Sequence, residues 1–224
     1  LEKISLFRGL NDTSNLMQTL RPSSHHLNDD SMYLSPLDFR NQPKLKELIV
    51  VNQEVPALDF TNHPDMNSII VTGSKLNEVK NLKNAKNLGG INFSYNNLTQ
   101  IDVSENSNLT VLNLTDNNLT TIDLSKNDIN VIMIACNKIS GTIDLSHMST
   151  PRTDGSGKGL QLFEISRYAK GSVNYEGEVC VKINQDQLDF LNMNHNNKGT
   201  YPGCGWANSN SFFNPLEIFK LVCN

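Results

Sequence analysis

The chain has 224 residues, a mass of 25.0 kDa, a net charge of −4 and a pI near 5.7, which excludes the strongly basic surface expected of a nucleic-acid binder. Mean hydropathy is −0.38, and no run approaches the roughly 18 apolar residues needed to span a bilayer, so no transmembrane segment is expected. Asn accounts for 32 of the 224 residues without low complexity, an excess that asks for a structural use.

In chain order, the first segment begins at Leu1 rather than Met and shows no basic-then-apolar leader, so any signal peptide is expected to have been removed. The stretch SNLMQTL at 14–20 reads as a helical start stopped by Pro22, and residues 1–33 as an N-terminal cap. His25, His26, Asn28, Asp29 and Asp30 have metal-capable side chains, but neighbours in a polar loop define no coordination geometry. No metal or other cofactor is expected.

A repeat follows. Residues 88–98 (LGGINFSYNNL), 109–119 (LTVLNLTDNNL) and 129–139 (INVIMIACNKI) share the frame apolar-x-x-apolar-x-apolar-x-x-Asn-x-apolar. Weaker copies start at 45 and 66, giving spacings of 21, 22, 21 and 20. The second halves repeat as well: LTQIDVSEN at 98–106, LTTIDLSKN at 119–127 and ISGTIDLSH at 139–147. Leu34, Leu37 and Phe39 resemble an earlier second half, and Leu160, Phe163 and Ile165 a sixth first half after the Gly/Ser/Pro-rich insertion at 149–159, with Tyr168 where Asn is expected. Val181 and Ile183, then Leu216, Phe219, Leu221 and Asn224, are further partial matches.

These segments resemble leucine-rich repeats of the short, ~21-residue type common in secreted and surface-attached bacterial proteins, such as those of flavobacteria and other Bacteroidetes. The resemblance implies an α/β or mostly β right-handed solenoid, an arc with a parallel concave sheet and a cap at each end. The domains expected are a cap at 1–33, a solenoid at 34–183 and a C-terminal cap at 184–224.

The residues give the same picture from physics. Alternation at positions four and six makes a short strand with one face buried, and stacking is the way a unit buries that face. At position nine the backbone turns inward and strands amide and carbonyl groups, which a carboxamide with two donors and an acceptor can satisfy. Asn96, Asn117 and Asn137 are the clear rungs of such a ladder, with Gln53 and Ser74 as weaker substitutes. The convex half has Ile101 and Val103, Ile122 and Leu124, and Ile143 and Leu145 pointing inward, with extended or 3₁₀ backbone rather than long helices.

At the C-terminal end, residues 179–195 read as a strand leading into a short helix with Leu188, Phe190 and Leu191 as apolar contacts, followed by a polar loop. Cys136, Cys180, Cys204 and Cys223 allow three fully paired connectivities, and their spacing is not that of a zinc site. Three fall in the last 45 residues, where at least one disulfide is expected, while Cys136 reads as a small substitution or free thiol. The C-terminal segment resembles closures of secreted leucine-rich repeat proteins, and that resemblance implies a Cys180–Cys223 pair.

Signals for catalysis are weak. The GSGKG run at 155–159 lacks the spacing of a phosphate loop and reads as a flexible connection, and GxSxG, HExxH, GxGxxG and EF-hand patterns are missing. Asp59, Asp102, Asp123 and Asp144 recur at the repeat period, which points to turns rather than to a catalytic row. Asn11, Asn92, Asn97, Asn108, Asn113 and Asn118 lie in glycosylation sequons, most of them accidental in a repeat built from Asn, Leu and Thr.

The chain therefore reads as a non-catalytic, monomeric binding module, extracellular or at a cell surface, with a protein or glycan as partner. The alternative is a rigid spacer within a larger surface protein. The expected binding surface is the outward side of the concave strands: Ile49, Ile70, Asn92, Tyr95, Val111, Asn113, Asp116, Val131, Met133, Leu162, Glu164 and Arg167. Its apolar members, more than a solvated sheet needs, predict an exposed interaction patch, the alternative being that the caps or the insertion at 149–159 partly cover that surface.

Overall fold

A computed structural model describes residues 2–7, 39, 41–151, 157–165 and 179–194 of the chain. The first half of each unit gives a strand where apolar residues alternate, and these strands stack into one parallel sheet. Its members are β1 (Lys3–Phe7), β2 (Glu47–Val51), β4 (Ser68–Thr72), β6 (Gly90–Asn92), β7 (Val111–Asn113), β8 (Val131–Met133) and β10 (Leu162–Glu164), in that spatial order. The intervening β3 (Ala57–Asp59), β5 (Glu78–Lys80) and β9 (Gly141–Asp144) lie on the convex side, where β3 pairs with β5 and β9 with β11 (Val179–Lys182). A 3₁₀ turn occupies Leu82–Asn84 and a helix, α1, covers Gln185–Asn194.

Register fixes the repeat. Leu48 pairs with Ile69, Ile69 with Ile91, Ile91 with Leu112 and Leu112 with Ile132, so that equivalent residues are 21, 22, 21 and 20 apart. All five are buried, and each is worth about 1.5–3 kcal/mol of burial. Val103, Leu124 and Leu145 close the core from the convex side. All strand pairings are parallel, and every crossover within the repeats 45–139 is one period long. The fold is a leucine-rich repeat solenoid, mostly β.

Two elements depart from the expected outline. Residues 3–7, assigned from sequence to a cap, form a strand in register with β2, with Ile4 and Leu6 packed on the core. Lys3 to Glu47 (2.6 Å) and Lys46 to Glu2 (2.9 Å) brace it. The ISLF alternation carried that signal, but no position-nine Asn follows it. Among the described parts of the insertion at 149–159, the neck is closed: the Leu160 amide donates to the Ser149 carbonyl at 3.0 Å, and β10 continues the sheet as a sixth unit. Gly159 has φ +125°, and a Cβ there would lie 2.2 Å from that same carbonyl oxygen, so this position requires glycine. The expected helix at 14–20 and the partial matches at Leu34, Leu37 and 216–224 lie outside the described residues.

Asn96, Asn117 and Asn137 each span two turns. The Asn96 amide donates to the carbonyls of Val71 (2.6 Å) and Phe93 (3.0 Å), while its oxygen accepts from the amides of Ser74 and Leu76 at 3.0 Å. Asn117 donates to Phe93 and Leu114 and accepts from Leu98; Asn137 donates to Leu114 and Ile134 and accepts from Leu119. The Ser74 hydroxyl donates to the Thr72 carbonyl of its own turn, so it is not a rung, and Gln53 Oε1 is buried without a partner. Immediately before this position the backbone is left-handed in the five units where it is described: Asn52, Gly73, Tyr95, Asp116 and Cys136 have φ between 54° and 59°. Asn, Gly and Asp suit that conformation; Tyr and Cys adopt it at a cost.

A second ladder on the convex side was not foreseen. Asn106 Nδ2 donates to the carbonyls of Leu82 and Ala85, and Asn127 Nδ2 to those of Val103 and Asn106. Gln187, at the start of α1, donates in the same pattern to Leu145 (2.9 Å) and Met148 (2.6 Å). It also forms a reciprocal cap with Asn184, its Oε1 accepting the Asn184 amide while Asn184 Oδ1 accepts the Gln187 amide. The terminal Asn of SEN and SKN, and the Asn-x-x-Gln spacing at 184–187, were the legible signals.

Candidate functional site

Alternation places every second concave residue on the outward face, and the register turns these into rows. One row runs Glu47, Ser68, Gly90, Val111, Val131, Leu162; the next runs Ile49, Ile70, Asn92, Asn113, Met133, Glu164. The structure thus brings together most of the residues expected there, yet exposure divides them.

At the N-terminal end the face is closed. Ile49 and Ile70 are 7% and 3% exposed, and Val51 and Thr72, one outward step along the same strands, are at 0%. This corrects the expected patch: Ile49 packs in a row between Ser5 and Ile70, Ile70 between Ile49 and Asn92, and the chain's own side chains exclude water from them. Asn92 and Asn113 are also buried, at 3% and 8%. The Asn92 carboxamide oxygen accepts from the amide and hydroxyl of Ser94, and that of Asn113 from the amide of Thr115 at 3.0 Å, local loops that hold the strand exits. These two residues serve the turn rather than a ligand, and their sequons are closed to modification.

The C-terminal half is open. Val111, Val131, Leu162 and Met133 are all half-buried on three adjacent strands, an aliphatic surface bordered by Tyr95 and Asp116, themselves half-exposed at the left-handed position. For Glu164 the backbone alone is described, in register with Met133, and Arg167 lies outside the described residues.

On the convex side Asp59, Asp102, Asp123 and Asp144 accept from the amides of Thr61, Ser104, Ser125 and Ser146, two residues on. Hydrogen bonds from Asn81 and Thr61 hold the Asp59 carboxyl down at about 2, and bonds from Ser104, Ser125 and Ser146 lower the other three. A turn-forming role accounts for the row.

Cys136 and Cys180 are both disulfide-bonded, which corrects the free-thiol reading of Cys136. Cys223, expected from the resemblance to pair with Cys180, lies outside the described residues. Among the described residues no group of three or more His, Cys, Asp or Glu side chains is placed to hold a metal, and no helix is long and apolar enough to cross a membrane.

Neither a family model nor a curated protein matches the chain. Among solved structures it is similar to one described as the "functional domain of InlJ from Listeria monocytogenes", which "includes a cysteine ladder", at 21% identity and a TM-score of 0.46, over 69% of this chain and 40% of that one. The chain therefore spans less than half the length of that structure.

Proposed function

We propose that the protein is a non-catalytic binding module whose partner is another protein, held on the C-terminal half of the concave face. The observation that carries this reading is the half-exposed aliphatic row Val111, Val131, Leu162 beside Met133, presented on a sheet whose reverse side is fully packed. A rigid, partly exposed apolar surface with a polar border is what protein recognition uses, and Met133 adds an adaptable contact. Tyr95, at the border, is the one aromatic among the described outward residues beside this row, which favours a protein over a stacked glycan there.

The disulfide-bonded Cys136 and Cys180 support an extracellular or cell-surface setting, in the manner of short-repeat bacterial surface proteins. The test is capture from a cell-surface extract by the whole chain, compared with a Val131→Asp, Met133→Asp variant whose fold is verified by circular dichroism. A protein retained by the first and lost by the second supports the module. Capture identical with both variants overturns the concave site and favours the spacer reading, in which the solenoid displays a neighbouring domain.

A further inference from the structure

A shallow, open recess of about 890 Å³ lies on the flank where each convex segment turns back toward the next concave strand. The same turn occurs three times there: the amides of Gln42, His63 and Ala85 donate to the carbonyls of Phe39, Phe60 and Leu82, respectively. The residues on either side of it are therefore equivalent from one unit to the next. Asn41, Asn62 and Asn84 form one wall of the recess, and Pro43, Pro64 and Lys86 form the other. In the next two units the equivalent positions hold Glu105 and Lys126, then Ser107 and Asp128, so the paired rows end with the third turn.

The walls have complementary chemistry. Asn41 and Asn62 are exposed, and their carboxamides make no hydrogen bond among the described residues, leaving two donors and an acceptor on each turn. Asn84 is tied to the Thr61 carbonyl at 3.3 Å, and Lys86 reaches Glu105 at 3.1 Å on the exposed surface. Pro43 and Pro64 present rigid rings without a donor. The first two turns thus each offer one polar edge and one small apolar surface, repeating at the spacing of stacked strands, about 4.8 Å, and the third offers the Lys86 ammonium.

We propose that this recess is a glycan site, holding three consecutive sugars of an extended β-linked oligosaccharide along the solenoid axis. The rise per sugar in such a chain is close to one solenoid turn, so the first two rings can rest an apolar face on Pro43 and Pro64 while their hydroxyls bond to Asn41 and Asn62. Lys86 meets the third sugar. A peptide, which advances only ~3.1–3.4 Å per residue, falls out of step with the rungs within two residues. The site is separate from the concave face, and the two fail or succeed independently.

The probes are cellotriose and tri-N-acetylchitotriose, titrated into the whole chain and followed by calorimetry and by the side-chain amide signals of Asn41 and Asn62. One of the two trisaccharides is expected to shift those signals saturably. Asn41→Ala with Asn62→Ala should weaken binding at least about tenfold, roughly 1.4 kcal/mol, while Val131→Asp leaves it unchanged. Both substituted asparagines are exposed, so the fold is preserved. Silence from both sugars at roughly 10 mM, well beyond a ~1 mM site, overturns the proposal. So does binding that survives the asparagine substitutions, or a proline-rich peptide that shifts the same signals more tightly than either sugar.

Discussion

The two ends of the concave sheet have the same backbone and opposite surfaces. Ile70 and Met133 occupy the same row and the same strand position, three strands apart; Ile70 is 3% exposed and Met133 is half-exposed. Strand geometry decides only that both point away from the core between sheet and convex segments. Their exposure differs even so: Val51 and Thr72 beside Ile70 are at 0%, whereas Val131 beside Met133 is half-buried. A repeat protein can therefore use one half of a uniform sheet as interior and keep the other half as interaction surface.

The largest effect that tests this contrast comes from placing a charge at each end. Ile70→Asp puts a carboxylate where neither water nor a partner reaches it, and should cost roughly 3 kcal/mol or more, whereas Val131→Asp should cost no more than about 1 kcal/mol. Urea denaturation of the two variants decides the matter; equal midpoints would mean that the two halves do not differ.

Next come the ladders, which hold both halves together. Asn117→Ala takes the acceptor from the buried Leu98 amide and leaves the Phe93 and Leu114 carbonyls with the neighbouring rungs alone, for a loss of roughly 1–3 kcal/mol. Asn118→Ala, one residue along, removes a half-exposed side chain with no such bonds and should fall within about 0.5 kcal/mol. Asn127→Ala, which removes the second donor from the Val103 and Asn106 carbonyls on the convex side, should fall below Asn117→Ala. Were the Asn117 and Asn118 variants equally stable, the ladder would not be holding the turns.

Gln187→Ala should cost about 1–2 kcal/mol, lost locally, because one side chain both caps α1 and closes the convex ladder. Amide exchange is the readout: α1 and β11 should exchange faster, with β6 to β8 unchanged. Uniform acceleration across the sheet would show that the last turn and the central repeats unfold as one.

The smallest effect is the acid response of the convex aspartates. The folded-state carboxyl of Asp59 sits at about 2, below its unfolded value, so its contribution is complete above about pH 4 and lost as pH falls through about 2. Asp102, Asp123 and Asp144 act in the same direction. All four are largely exposed, so Asp59→Asn should remove on the order of a few tenths of a kcal/mol of that dependence. The acid midpoint should therefore stay or rise slightly in the variant, which lacks the stabilisation the ionised carboxylate supplies, and a midpoint that falls would contradict the sign.

Much of the fold could be read before any coordinates because stacking forces periodicity on the residues that stack. Leu112 and Ile132, and Asn96, Asn117 and Asn137, repeat at one period because each must meet its equivalent in the next turn. Asn106 and Asn127 repeat just as regularly, but among so many asparagines nothing local marks them as buried. Gln187 breaks the period altogether, since the insertion lengthens the chain between it and its acceptors.

The sequence by itself determined the strand frame, the direction of every concave side chain and the first asparagine ladder, all consequences of local alternation and of a period that neighbours must share. Only the tertiary structure decided that Ile49, Ile70, Asn92 and Asn113 are interior while Val131 and Met133 are half-exposed, and that Asn41, Asn62, Pro43 and Pro64 line one recess. Direction is a property of the strand, whereas burial depends on the surroundings of each residue, which differ between the two ends of the sheet, and no period in the sequence encodes that.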